Sequence, residues 1–425
     1  MQRRLISFLF IISLFTSCGD NSFDLELSQT NFELDNYLSV VTVEITTLED
    51  WTTINESDWC TLDKTSGTGN ATIEITVAEN DTGEDRTADI YIKSGINYER
   101  IYISQYSEYD DYQFEIPIIF HILYKNALDN TQYVTASWIS EIMDDANELF
   151  ASSTDMNVTF VLATEDESGN TLTEAGIDRI KIDDSEIDYE DFMYGDYQTG
   201  IDNLWSLTSY VNVFVYLFEQ TSSSGTVLGV THLPYTISEY ALEGLTIGDY
   251  YSDKSYTTDY PHCVSLNNKY IYSRSDDNTY VSTDIVVTLA HELGHYVGLF
   301  HPFEEEGCST DYCDDTPNYI RSDYTSWVSD LLTSGSSYTF AELCLRTSTD
   351  GSTFTARNIM DYYYCYSDEY TDDQRSRVRH VLNYSPLMPG PKRTTKTKSA
   401  NAVKPEPRFV ECPVPGCDHD HNHVE

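Results

Sequence analysis

Positive charge is scarce in this chain. Its 425 residues carry 24 Lys and Arg against 71 Asp and Glu, a formal net charge of -47. A surface of that sign repels nucleic acid and anionic membranes, so neither is expected as a partner. Long apolar runs are missing as well. Beyond the first eighteen residues none approaches the roughly 18 apolar residues that a membrane-spanning helix needs. A helical period is absent between residues 24 and 106. Finally, Cys308, Cys313, Cys344 and Cys365 contain no C-x-x-C pair, which argues against a structural zinc site built from them.

The first eighteen residues, "MQRRLISFLFIISLFTSC", are the exception to the charge and the hydropathy of the rest. Arg3 and Arg4 precede an apolar run from Leu5 to Phe15, the length of a signal-peptide core. Small residues just before Cys18 resemble a bacterial lipobox. The resemblance implies cleavage before Cys18 and lipidation of that residue. It makes the protein a lipid-anchored component of the cell envelope, at the outer membrane or cell surface, whose membrane contact is the anchor alone. Eight of the nine cysteines then remain in a compartment where disulfides are permitted.

Residues 24–106 alternate apolar and polar residues in short runs, "VVTVEITT", "ATIEITVAEN", "TADIYIKSG" and "ERIYISQ". Gly, Asn and Asp clusters separate them, the pattern of an all-β sandwich. Trp59, Ser66-Gly67, Asn80, Arg86 and the closing Ser104-Gln105 resemble a BACON domain, an immunoglobulin-like module common on surface proteins of gut Bacteroidetes. The resemblance implies contact with a glycan or mucin. Trp59 is expected in its core, with Cys60 beside it as a small buried hydrophobe.

An acidic linker, residues 107–112, leads to a different pattern. "IPIIFHILY" reads as a buried strand. "TASWISEIMDDANELFAS" spaces Trp138, Ile142, Met143, Ala146, Leu149 and Phe150 at helical intervals behind a Thr135 cap. "MNVTFVLAT" and "YVNVFVYLFE" are further strands, "IDNLWSLTSY" a helix between them, and "GVTHLP" a short edge strand. Strand and helix in alternation indicate an α/β layer with a mostly parallel sheet. Residues 385–425, rich in Pro, Lys and Thr and ending in "CPVPGCDHDHNHVE", read as a disordered tail.

The stretch "AHELGHYVGLFHPF" places three of the ten histidines within eleven positions. His291 and His295 are one helical turn apart and leave the same face. Gly298 stands where the helix must stop and lets the chain turn back. His301 then comes round as a third ligand. Three neutral imidazoles suit Zn²⁺, leaving a position for water. Glu292, beside the first ligand, is placed to take a proton from that water. A bare H-E-x-x-H arises by chance on the order of once in a hundred such chains. The full H-E-x-x-H-x-x-G-x-x-H is far rarer and is the metzincin motif.

"RNIMDYYYC" resembles the Met-turn of metzincins. The resemblance implies that Met360 forms an apolar floor beneath the metal. It also implies that Tyr362 contacts the zinc or the tetrahedral intermediate. The continuation "HPFEEEGC…DYCDDTPNY", with Phe303, Cys308 and Asp315-Thr316-Pro317, resembles the pappalysin family. "NIMDYYYCYSDEYTDDQRSRVRHVL" matches that family's Met-turn, following Cys and final helix. The resemblance covers residues 113–384 and departs at Pro302 and in the shortened segment from Cys308 to Asp314. It implies a multidomain chain: an immunoglobulin-like sandwich at 24–106, then an α/β metzincin, zincin-like catalytic domain. It implies a zinc endopeptidase acting on a polypeptide substrate, with Glu292 as general base. By the same analogy Cys308–Cys344 and Cys313–Cys365 are the expected disulfides.

Asp311, Asp314, Asp315 and Thr316 offer hard oxygen ligands for Ca²⁺, against a solvated acidic loop. The alternative for the whole protein is a surface glycan- or protein-binding lipoprotein in which the BACON-like module does the work. An intact Glu292 and three histidines speak for the enzyme.

Overall fold

The computed structural model describes residues 25–105 apart from positions 35, 37, 81 and 83–85. It further describes 113–219, 227–248, 260–275, 283–304, 310–334, 337–390 and 408–413. Residues 1–18 with Cys18, the linker 107–112, Cys308 and the terminal His cluster lie outside these. Two compact units divide at Asp110–Asp111.

In the first unit, period-two alternation buries one face of each strand. Four strands lie in the order Glu26–Leu27, Ser39–Thr46, Ala71–Val77, Cys60–Leu62. Five more lie in the order Asn31–Leu34, Asn97–Gln105, Arg86–Ser94, Asp50–Asn55, Ser66–Thr68. The core joins Val43, Ile45, Ile73 and Ile75 of the first sheet to Trp51, Ile90, Ile92, Ile101 and Ile103 of the second. The core tryptophan is therefore Trp51, not Trp59. Trp51 sits in phase with the buried face of its strand. Trp59 precedes its strand, is half-buried, and is covered by the Arg86 guanidinium 4.2 Å from its ring. Gly67 exists for Trp51: a Cβ there would lie 2.5 Å from the indole. Cys60 is buried and unpaired, its thiol pushed up to about 11 by burial.

The second unit holds the α/β layer. Val158–Leu162, Phe114–Tyr124, Val211–Tyr216 and Val264–Asn267 pair in parallel in that order. Ile177–Lys181 takes the remaining half of the long strand Phe114–Tyr124. Val227–His232 joins Val264–Asn267 antiparallel, and Phe409–Pro413 joins Val227–His232 antiparallel. Helix Ala136–Phe150, capped by the Thr135 hydroxyl, turns Ile139, Ile142, Met143, Ala146, Leu149 and Phe150 into the core. Trp138 lies at its border and donates its ring N–H to the Ile271 carbonyl at 2.8 Å. Helix Ile285–Tyr296 begins at Asp284, whose carboxylate accepts from Val286 N–H, and buries every residue. Among the described residues no helix is long and apolar enough to cross a membrane.

Three expectations change here. "IDNLWSLTSY" gives only the end of a short helix, Gln198–Asp202, followed by turns. Val227–His232 is not an edge strand, because Phe409–Pro413 covers its outer side. The tail is not wholly without structure. Leu387 and Met388 are buried, the latter in the main core, so the domain runs past Tyr384. Propensity placed the tail outside the fold, but pairing across the sheet overrides propensity.

Candidate active site

The helix Ile285–Tyr296 carries His291 and His295 on one face. Its end is set by Gly298, whose φ of +96° is left-handed. The Gly298 N–H donates to the His295 carbonyl at 2.9 Å, and Leu299 N–H to the Gly294 carbonyl at 2.9 Å. Any side chain at 298 would also press on Val381, 2.6 Å from a Cβ. Arg377, on the helix Asp372–Tyr384, donates to the Gly298 carbonyl at 2.6 Å and locks the turn. The turn returns the chain, and His301 meets the other two.

The three Nε2 atoms converge. His295 Nε2 is 3.0 Å from His291 Nε2 and 3.0 Å from His301 Nε2, and the third separation is 3.3 Å. The Nδ1–H of His291 donates to the Ile359 carbonyl at 2.8 Å. That of His295 donates to the Leu299 carbonyl at 2.8 Å. These bonds fix the tautomers and leave each Nε2 of that pair as an acceptor. Burial pushes His291 down to about 4 and His295 well below the usual imidazole range, so both rings are neutral. Among the described residues these three histidines are the group able to hold a metal ion.

Met360 lies under the helix. A Cβ on Gly294 would sit 2.5 Å from its Sδ, so the glycine between the two histidines makes room for the sulfur. The residue before it supplies the carbonyl that orients His291. Tyr362 follows, buried, its ring centroid 4.3 Å from that of His301 and 5.6 Å from that of His291. Its own carbonyl accepts from buried Arg346 at 3.3 Å. Phe303 stacks on His301 at 4.8 Å.

Glu292 is buried between helix and sheet. Burial pushes its carboxyl well above the usual range, partly offset by the Thr231 hydroxyl, which donates to it. Its other oxygen, Oε1, has no hydrogen-bond partner among the described residues. Space for it comes from Gly229, where a Cβ would lie 2.7 Å from both Cγ and Oε1. The sequence reading missed Thr231 and Gly229. They lie some sixty positions from Glu292 in a strand with no motif of its own.

The acidic group does not assemble. Asp311 turns inward: it accepts from Thr316 Oγ1 at 2.6 Å and from Cys313 N–H at 3.2 Å. Asp314 and Asp315 instead face the start of the last helix, their N–H groups donating to Asp373 at 2.9 and 3.2 Å. Among the described residues these carboxylates do not form a group able to hold a metal ion. The cysteines also differ from expectation. Cys313, Cys344 and Cys365 are buried free thiols, so Cys313–Cys365 is not formed. Two of them have a local partner: Cys313 Sγ donates to the Asp311 carbonyl at 3.7 Å and Cys365 Sγ to the Asn358 carbonyl at 3.3 Å. The expected partner of Cys344, Cys308, lies outside the described residues.

Residues 49–106 match the BACON family, described as a putative binding domain. Residues 196–383 match the peptidase family described as pregnancy-associated plasma protein-A. No curated protein matches. Among solved structures, mature mirolysin of Tannerella forsythia in complex with a cleaved peptide is 21% identical. The match covers 64% of this chain and 92% of that one, with a TM-score of 0.42. A promirolysin mutant of the same organism is 20% identical over 65% of this chain and 84% of that one, with a TM-score of 0.44. A Bacteroides ovatus GH5 xyloglucanase in complex with a heptasaccharide is 15% identical over 48% of each chain, with a TM-score of 0.22. This chain joins an N-terminal BACON domain to a metallopeptidase domain of the pappalysin family.

Proposed function

We propose that the protein is a zinc-dependent endopeptidase acting on extracellular proteins or peptides. One observation carries the reading: three imidazole Nε2 atoms meet beside a buried glutamate. Two of them are fixed as acceptors, with no proton to share between them. Converging lone pairs repel unless a cation stands among them. Ligand nitrogens of a tetrahedral zinc site are about 3.3 Å apart, close to the separations here. The donor set therefore fits Zn²⁺, held by His291, His295 and His301. When bound, zinc supplies Lewis acidity to the scissile carbonyl and brings the pKa of water to about 7.

The chain's own residues do the rest. Glu292 takes a proton from the attacking water and delivers it to the leaving amine. The Thr231 hydroxyl, which donates to its carboxylate, fixes its rotamer. The Tyr362 hydroxyl, beside His301, donates to the oxygen on which charge develops. Once its outer side is free of Phe409–Pro413, the strand Val227–His232 aligns an extended substrate by main-chain hydrogen bonds. Ile359 and Leu299 hold His291 and His295 in orientation. Attachment to the cell envelope through lipidated Cys18, and glycan or mucin contact by the BACON domain, belong to the same proposal.

The test is peptide-library cleavage by protein lacking residues 1–18, both as the chain to Glu425 and as the chain ending at Gly390, with and without a zinc chelator, alongside elemental analysis. Chelator-sensitive endoproteolysis and about one zinc per chain are expected. Zinc-loaded protein that cleaves no peptide, with or without residues 391–425, would contradict the reading.

A further inference from the structure

The strand that should receive a substrate is already paired. Val227–His232 has Val264–Asn267 on one side and Phe409–Pro413 on the other. The second pairing is antiparallel, with His232 opposite Phe409, Thr231 opposite Val410, Val230 opposite Glu411 and Gly229 opposite Cys412. The ladder extends one step further, Leu233 N–H donating to the Arg408 carbonyl at 2.8 Å. An incoming peptide would need the same row of N–H and C=O groups.

The covering strand also reaches the reacting groups. The Tyr362 hydroxyl donates to the Glu411 carbonyl. Thr231, which holds Glu292, stands opposite Val410. The Glu411 carbonyl thus occupies the place where Tyr362 would meet a substrate carbonyl. Side chains secure the strand on both faces. Phe409 packs edge-on to Tyr194 at 5.0 Å. Glu411 accepts from the Tyr189 hydroxyl at 3.2 Å. Val410 packs on the main core. Backbone pairing plus alternating side-chain contacts is how an extended peptide ligand is held.

We propose that Phe409–Pro413 is a built-in occupant of the substrate groove, an inhibitory strand supplied by the chain's own C-terminal segment. The full chain is latent, and displacing or cutting away the segment after Gly390 opens the groove. This rests on the endopeptidase reading above. A tethered strand acts at high effective concentration, so a modest intrinsic affinity is enough to exclude substrate. The strand is bound through its backbone and needs no metal ligand of its own.

Three proteins lacking residues 1–18 test this: the chain to Glu425, the chain ending at Gly390, and the chain to Glu425 with Phe409→Asp and Val410→Asp. In the Glu292→Ala background, loaded with zinc, each is titrated with a fluorescent peptide of residues 407–414 and followed by anisotropy. The peptide is expected to bind the shortened and the doubly substituted proteins and not the intact chain. With Glu292 restored, the same two proteins are expected to cleave a peptide substrate at least about tenfold faster than the intact chain. Equal peptide binding by all three, or binding by none, overturns the proposal. Equal cleavage rates overturn it too. If the shortened protein fails to fold, the doubly substituted one decides. Selective peptide binding without cleavage by any of them supports the inhibitory strand and contradicts the endopeptidase reading.

Discussion

Gly229 faces Glu292 so closely that a Cβ at position 229 would lie 2.7 Å from the glutamate's Cγ and Oε1. The strand and the helix thus meet at a glycine, and the position of the Glu292 carboxylate depends on it. Gly229→Ala is expected to push the carboxylate off its position without touching a histidine. A displacement on the order of 1 Å costs about a hundredfold in rate. Peptide hydrolysis should fall by about that factor, while zinc content by elemental analysis stays at the wild-type level. An unchanged rate would show that Glu292 has room to spare.

Gly294 plays the same part for Met360. Its replacement by Ala would set a Cβ 2.5 Å from Sδ in a fully buried site. Overpacking of this kind costs about 1–3 kcal/mol. Urea denaturation of the metal-free protein should show a loss of that size. A Gly294→Ala protein as stable as the wild type would mean that the Met-turn yields freely.

Asp311 gives a pH-dependent test. Burial pushes its carboxyl up to about 6 from an ordinary 3.8, partly offset by the bonds from Thr316 and Cys313. A folded value above the unfolded one means that its contribution is fully present below 3.8 and lost as the pH rises through about 6. At neutral pH the buried carboxylate is therefore a cost. Asp311→Asn keeps the acceptor for Cys313 N–H and removes the charge. Its stability relative to wild type should improve by about 1–3 kcal/mol between roughly pH 4 and pH 7.5. A difference that stays flat with pH would place the titration elsewhere.

The lipid anchor rests on residues 1–18 alone. Cys18→Ser in the native host is expected to move the protein to the soluble fraction and to abolish acyl-chain labelling. Continued membrane association of that variant would contradict the lipobox reading.

What the sequence revealed follows the reach of each interaction. His291, His295 and His301 and the turn at Gly298 lie within one short stretch, so their spacing alone implies convergence. Thr135 is a local cap and was equally readable. Met360 was legible only because a second motif marks it. Thr231 and Gly229 were not, since pairing a strand with a helix far along the chain leaves no local trace. The strand Phe409–Pro413 was hidden for the same reason, in a segment whose Pro, Lys and Thr suggest disorder. Trp59 was expected in the core and Trp51 takes that place, because both stand near strand starts and only the register decides which faces inward. Cysteine pairing is not written in spacing, and burial beside local carbonyls leaves Cys313 and Cys365 as thiols.

The central claim is that three histidines hold zinc and Glu292 moves the proton. The most direct measurement is peptide hydrolysis by zinc-loaded Glu292→Ala protein, in the intact chain and in the chain ending at Gly390. The account predicts about one zinc per chain, as in the wild type, and a rate lower by about a hundredfold to ten-thousandfold. A zinc-loaded Glu292→Ala protein that hydrolyses peptide at the wild-type rate would contradict it.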